Sequence, residues 1–200
     1  VSDVLDCSDE NRNTEEAQEG AIEIGIDVAR FGNDNSVITK RKGLCVLDIQ
    51  KVHGYNTQEV AGLAWDMAER DPAILIKIDI GYNQGVYDLL NEWGANVIPV
   101  NFGGRADNPE VYANCASEMM FELPLKSIYI PNEYLSQTLI EDLAERQYFY
   151  NSKGQKQLEP KDNRSDTTKS CFKNRHNGRS PDEGDSLCLA FYEKRNDCCY

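Results

Sequence analysis

Two segments of this chain alternate apolar and polar residues strictly enough to be read as strands, and each carries an acid in its polar row. In residues 21–29, Ile22, Ile24, Ile26 and Val28 fall on one face, with Glu23, Gly25 and Asp27 on the other. In residues 73–80, Ile74, Ile76, Ile78 and Ile80 form the apolar row, and Lys77 and Asp79 lie opposite it. As neighbours, two such strands would open both carboxylates into one cleft. A carboxylate beside a core is costly to desolvate unless it is paired or coordinates a cation.

A third acidic signal lies far downstream, in Ser180-Pro181-Asp182-Glu183-Gly184-Asp185. Ser180 suits an N-cap, Pro181 the first helical position, and Glu183 a capping box, so a helix is predicted to start here. From Asp185, the residues Cys188, Leu189 and Tyr192 follow at helical spacing, which puts Asp185 at the head of the core-facing stripe. Asp182 lies one turn earlier and is expected nearer to solvent. Three separated segments that can bring carboxylates together make a candidate site for hard divalent cations, whose chemistry with phosphodiesters is hydrolysis.

The remaining pattern describes one α/β domain. Strands are predicted at 36–41 and 44–52, a helix at 57–70, a helix at 83–93 and a strand at 95–101. Helices follow at 109–122 and 132–146. Tyr148-Phe149-Tyr150, Asn151-Ser152-Lys153-Gly154 and Gln155-Lys156-Gln157-Leu158 read as a β-hairpin. Residues 1–20 hold seven acids against one base, a net −6 with little apolar periodicity, and are expected to be a disordered acidic linker preceding the domain at 21–200.

Composition removes several functions. No apolar run approaches the roughly 20 residues that span a bilayer. The seven cysteines form no CxxC pair, and only His53 and His176 could join them, so a zinc site is not expected and the thiols read as reduced. The net charge of −13 argues against a nucleic-acid partner, but its distribution softens this. Residues 151–179 carry eight bases against three acids, a net +5. Lys153, Lys156, Lys173, Arg175 and Arg179 are the candidates for contacts with a DNA backbone.

The order β-β-β-α-β-α-β, with acids in the first strand, the fourth strand and a late helix, resembles the ribonuclease H-like fold. This implies a mixed five-stranded sheet flanked by helices, here with an added β-hairpin. Three phrases resemble the nuclease domain of the large terminase subunit of tailed bacteriophages. They are Asp-x-Ala-Arg-x-Gly-x-Asp at 27–34, the Ile-Asp strand followed by Gly81 and a helix, and Gly178-Arg179-Ser180-Pro181-Asp182-Glu183-Gly184-Asp185-Ser186-Leu187. The resemblance covers about residues 20–195. One departure is Gly184-Asp185-Ser186, where that family usually has Ala-Asp-Ala.

The resemblance implies a metal-dependent DNA endonuclease of a viral packaging terminase, cutting concatemeric double-stranded DNA with two Mg²⁺ or Mn²⁺ ions. It makes Asp27, Asp79 and Asp185 the metal-binding catalytic acids, adds Asp182 as a further ligand, and places Asp34 behind them as a supporting residue. Its implied partners are a terminase ATPase domain, a small terminase subunit and a portal protein, in the cytoplasm of the infected host. No GxxxxGK[ST] phosphate loop occurs, so the motor is not expected within this sequence. Other readings of the same acids are a junction resolvase, a transposase, or a portal-docking module without catalysis.

Overall fold

The computed structural model describes residues 1–29, 35–81, 84–162 and 171–193. In chain order the elements are α1 (Ser2–Leu5), β1 (Ile22–Asp27), β2 (Asn35–Lys42), β3 (Cys45–His53), α2 (Thr57–Met67), β4 (Leu75–Asp79), α3 (Gln84–Glu92) and β5 (Asn96–Val100). They continue with α4 (Cys115–Glu122), α5 (Gln137–Ala144), β6 (Tyr148–Tyr150), β7 (Lys156–Leu158), α6 (Phe172–Arg175) and α7 (Asp182–Phe191). Five strands form one sheet in the order β3-β2-β1-β4-β5, and β6 and β7 form a separate hairpin. β1 runs parallel to β4, and β4 parallel to β5; β1-β2 and β2-β3 are antiparallel. This is the mixed, helix-flanked sheet of the ribonuclease H-like fold.

The two isoleucine rows decide which way the sheet faces. Ile24, Ile26, Ile76 and Ile78 are wholly buried against Val60, Ala61 and Ala64 of α2 and Val86 and Leu90 of α3. Each fully buried isoleucine contributes about 1.5–3 kcal/mol. A one-residue slip would turn both rows to the wrong side, so this face pins the register. Ile26 pairs with Ile78, which brings the next residues, Asp27 and Asp79, side by side at the ends of parallel strands.

The opposite face is covered by α7, with Leu187, Leu189 and Ala190 joining Met119, Leu139 and Leu143 in the second core. Helix α7 lies unusually close to β1. A methyl group at Gly25 would fall inside contact distance of the Ala190 amide and the Ser186 carbonyl. Ser186 donates its hydroxyl to the Gly25 carbonyl at 3.0 Å and lies 2.9 Å from the Thr39 hydroxyl. Beneath the C-terminal end of α7, the Lys77 ammonium reaches the carbonyls of Ala190 (3.0 Å) and Tyr192 (2.6 Å), and Arg41 reaches Ala190 at 2.6 Å. Both cations also pair with Glu23. They thus satisfy the carbonyls and the negative end of the helix dipole together.

Four expectations need correction. Residues 1–20 are not a loose tether: Val4 and Cys7 are buried, the Ile130 amide donates to the Cys7 carbonyl at 2.8 Å, and Arg12 donates to the Leu125 carbonyl at 2.8 Å. A few apolar anchors hold the segment despite its acidity. The helix expected at 109–122 begins only at Cys115, because Asn114 caps it and Glu118 accepts the amides of Asp107 (2.7 Å) and Asn108 (2.8 Å). The helix expected at 132–146 is confined to 137–144 and capped by Ser136. Finally, α7 starts at Asp182 with no side-chain cap, and Glu183 does not fold back toward Ser180. It is buried between Lys51 (2.6 Å), Ser136 (2.5 Å) and Thr138. The five described cysteines are all buried free thiols.

Gly25→Ala is predicted to cost about 1–3 kcal/mol, as expected where a methyl is forced into close packing. Urea denaturation measures it. Unchanged stability would contradict the close approach of α7 to β1.

Candidate metal centre

Four aspartates meet at the C-terminal edge of β1 and β4, under the first turn of α7. Asp27, Asp182 and Asp185 are buried, and Asp79 is half-buried. Asp27 and Asp79 stand together because of the Ile26–Ile78 register. Asp182 and Asp185, three residues apart on α7, share one helix face. Asp182 is therefore not the solvated first-turn acid that its position implied, and it accepts the Asn35 amide at 3.3 Å. Asp79 accepts the Gly81 amide at 3.1 Å, which fixes its carboxylate at the turn after β4.

Two cations that the sequence did not single out stand among these acids. The Lys161 ammonium contacts Asp185 Oδ2 and lies 3.9 Å from Asp27 Oδ2. Arg146 Nη1 lies 3.5 Å from Asp185 Oδ1 and is itself almost fully buried. Nothing in local spacing marks either residue. The signal was topological, since both flank the predicted hairpin, Arg146 just before β6 and Lys161 just after β7.

Burial pushes the Asp27 carboxyl well above the usual carboxylate range. Lys161 opposes this, while Asp185, Asp182 and Asp79 add to it. Asp79 is raised for the same leading reason, against the Gly81 amide and Lys161. Burial lowers the Lys161 pKa, but Asp185 and Asp27 outweigh it and hold the ammonium firmly charged.

The donor set fits a hard divalent cation. It consists of carboxylate oxygens alone, and an ammonium already sits between Asp27 and Asp185 as a stand-in for positive charge. The buried Asp185 Oδ2 has, among the described residues, no partner in hydrogen-bond geometry and makes a short ionic contact with Lys161. Among the described residues, no three acidic, histidine or cysteine side chains are yet drawn tightly enough to hold an ion.

The N-terminal turn of α7 is held from behind. Asp142, fully buried, accepts the Gly184 amide at 3.1 Å and pairs with Arg179. Burial outweighs both partners and pushes Asp142 up to about 7. Gly184 leaves room for this contact, because an added methyl would come within 2.8 Å of the Asp142 Cβ.

The expected DNA-contacting residues separate into two groups. Arg175 is engaged by Glu159 and the Glu145 carbonyl (3.0 Å), and Arg179 by Asp142 and Glu141 (2.9 Å). Their charges serve internal pairs. Lys173 is half-buried, and its amide donates to the Lys161 carbonyl at 3.0 Å. Lys153 is exposed at the hairpin turn, and Lys156 lies over the Phe121 ring at 4.8 Å. Asp34 lies outside the described residues.

An acid at the end of each of two adjacent parallel strands thus faces acids on a covering helix. Several solved structures share the fold. The nuclease domain of the large terminase subunit of bacterial virus Sf6 superposes with a TM-score of 0.74 at 17% identity, covering 97% of this chain and 98% of that one. A mutant of the same domain, solved with manganese, gives 0.74 at 15% identity and 96% coverage of both chains. The large terminase nuclease from thermophilic phage G20c, with bound magnesium, gives 0.57 at 16% identity, covering 85% of this chain and 79% of that one. The chain therefore has the fold of large terminase nuclease domains. No family model and no curated protein matches the sequence.

Two outcomes are predicted. The raised Asp27 pKa means the folded state keeps this proton to higher pH than the unfolded chain. The group's contribution to stability is thus complete below the ordinary carboxylate pKa and is lost as pH rises through the folded value. Asp27→Asn, which mimics the protonated form, is expected to melt about 2–4 °C higher than wild type at pH 8 in chelator, with the gap closing toward pH 4. No gain at pH 8 would contradict the shift. Lys161→Ala is expected to lower the melting temperature in chelator and to raise the increment gained on adding Ca²⁺ above that of wild type. An equal Ca²⁺ increment in both proteins would show that Lys161 does not stand where a cation binds.

Proposed function

We propose that this chain is the metal-dependent endonuclease domain of a viral DNA-packaging terminase, hydrolysing phosphodiester bonds of concatemeric double-stranded DNA. The observation that carries this reading is the convergence of Asp27, Asp79, Asp182 and Asp185 from three elements onto one buried edge. The fold shared with terminase nuclease domains supports the biological setting. No helix among the described residues is long and apolar enough to cross a membrane. An ATPase motor, a small terminase subunit and a portal protein are the partners this reading brings with it, and the infected cell's cytoplasm is its place of action.

Asp27, Asp79 and Asp185 would hold divalent cations, Mg²⁺ or Mn²⁺, with Asp182 completing a second position. Such ions, when bound, activate an attacking water and stabilise the leaving 3′ oxygen, giving 5′-phosphate and 3′-hydroxyl ends. The chain's own residues prepare for this. The Gly81 amide and the strand register fix Asp79 beside Asp27. Asp142 and Glu183 clamp the first turn of α7, so the carboxylates of Asp182 and Asp185 are oriented before any ligand arrives. Arg146 holds Asp185 from the protein side, and Lys161 offsets the mutual repulsion of the acids. Lys153 and Lys156, on the hairpin beside the cleft, would meet phosphates of the bound duplex, independently of sequence.

Nicking of supercoiled plasmid across a series of divalent metals tests the reading. Asp79→Asn and Asp185→Asn, both folded by circular dichroism, are expected to lose at least 10³-fold in rate, roughly 4 kcal/mol of transition-state stabilisation. Asp182→Asn is expected to lose less and to shift the metal optimum. Wild-type rates in a folded Asp79→Asn protein would sink the assignment.

A further inference from the structure

The hairpin carries the largest concentration of exposed aromatic surface in the described chain. Tyr148, Phe149 and Tyr150 are 51%, 46% and 62% exposed, and together they make up the whole of β6. Among the described residues β6 pairs only with β7, and Tyr148 and Tyr150 project from one face of the hairpin while Phe149 projects from the other. An uncharged aromatic edge of this kind invites association, and natural sheets normally blunt it with charge or proline. Such an edge suits a ligand that rewards flat apolar faces.

The strand behind it is rigid. The Lys156 amide donates to the Val111 carbonyl at 2.8 Å, and the Ala113 amide donates to the Lys156 carbonyl at 3.0 Å. The Leu158 amide donates to the Ser117 hydroxyl at 3.1 Å. Tyr148 packs edge-on against Phe121 of α4 at 4.9 Å, and Tyr150 meets Tyr148 edge-on at 6.1 Å. Tyr148 and Tyr150 therefore stand on a fixed base, with little ordering left to do on binding.

Position and charge identify the ligand. Both ends of the hairpin run into the acidic cleft, since Arg146 and Lys161 each contact Asp185. Two residues, Glu159 and Pro160, separate the end of β7 from Lys161, a span of at most about 10 Å of chain. Lys153 at the turn and Lys156 on β7 flank the rings with positive charge. Rings flanked by lysines beside a phosphodiester-cutting cleft match a nucleic acid whose bases are out of the duplex, because a paired duplex shows phosphates and groove edges but no base faces.

We propose that Tyr148 and Tyr150, which share one face of the hairpin, form a stacking platform for unpaired nucleobases of the DNA strand held in the cleft, with Lys153 and Lys156 on its phosphates. This rests on the nuclease reading and adds a preference for gapped or melted sites over intact duplex.

The test measures binding in chelator, so that it needs neither metal nor cleavage. A duplex with a short single-stranded gap containing 2-aminopurine is compared with the same duplex fully paired. The wild-type chain is expected to change the probe's fluorescence on binding and to favour the gapped DNA about tenfold, within the range that one base–aromatic stack supplies. The variant Tyr150→Leu keeps apolar area but removes the outer π-face of the pair, and it is expected to lose both the fluorescence change and the preference. Tyr148 is left in place to preserve the packing on Phe121. A wild-type chain with no preference, or a leucine variant that retains it, overturns the proposal and leaves the surface to a protein partner. Equal weakening on both DNAs also overturns it. If plasmid nicking proves indifferent to Asp79→Asn while the preference survives, the nuclease reading has failed and the platform stands; the reverse pattern separates them the other way.

Discussion

The close approach of α7 to β1 is the contact on which the rest of this structure depends. A helix packed on a sheet normally stands off by the height of its side chains. Gly25 removes that height at one point, and the Ala190 amide and Ser186 carbonyl move into the space. The hydroxyl of Ser186 then binds the Gly25 carbonyl and meets Thr39, so polar groups that would be stranded by so dry a contact are satisfied. Asp185 lies one residue from Ser186, and Asp27 two residues from Gly25. The approach of the backbones is thus what sets a helix acid against a strand acid.

That arrangement stores electrostatic cost. Four carboxylates on one buried edge repel one another and are poorly solvated, as the raised pKa values of Asp27 and Asp79 express. The surrounding structure compensates from several directions. Lys161 and Arg146 supply positive charge, the Gly81 and Asn35 amides donate to Asp79 and Asp182, and Asp142 and Glu183 hold the backbone of the helix turn that would otherwise yield. At the far end of α7, Lys77 and Arg41 bind its last carbonyls, so the helix is fixed at both ends. On the proposed reading, a site organised in this way is ready for a cation at the expense of stability without one.

Much of this was legible in the sequence because it follows from period-two patterning. The isoleucine rows placed Asp27 and Asp79 on the face away from the first core, and both strands and their shared face are as read. The hairpin was legible from its turn chemistry. The parts that were not legible involve contacts distant in sequence. Glu183 looked like a capping-box residue, but Lys51, Ser136 and Thr138 offered it stronger partners. Asp182 looked solvent-facing at a helix start, but it is buried and accepts the amide of Asn35 at the start of β2. Residues 1–20 looked too acidic to pack, yet Val4 and Cys7 suffice to anchor them. Arg175 and Arg179 looked available to phosphates until their carboxylate neighbours came into view. Lys161, central to the site, was one base among eight in a basic stretch.

The central claim is that these four aspartates form a cation site which Lys161 occupies in the metal's place. A crystal of the wild-type chain soaked in Mn²⁺, measured for anomalous scattering, tests it most directly. The account predicts an anomalous peak among the carboxylates of Asp27, Asp79 and Asp185, with the Lys161 ammonium displaced from between Asp27 and Asp185. An edge without Mn²⁺ at saturating metal, with Lys161 still on Asp185, would contradict it.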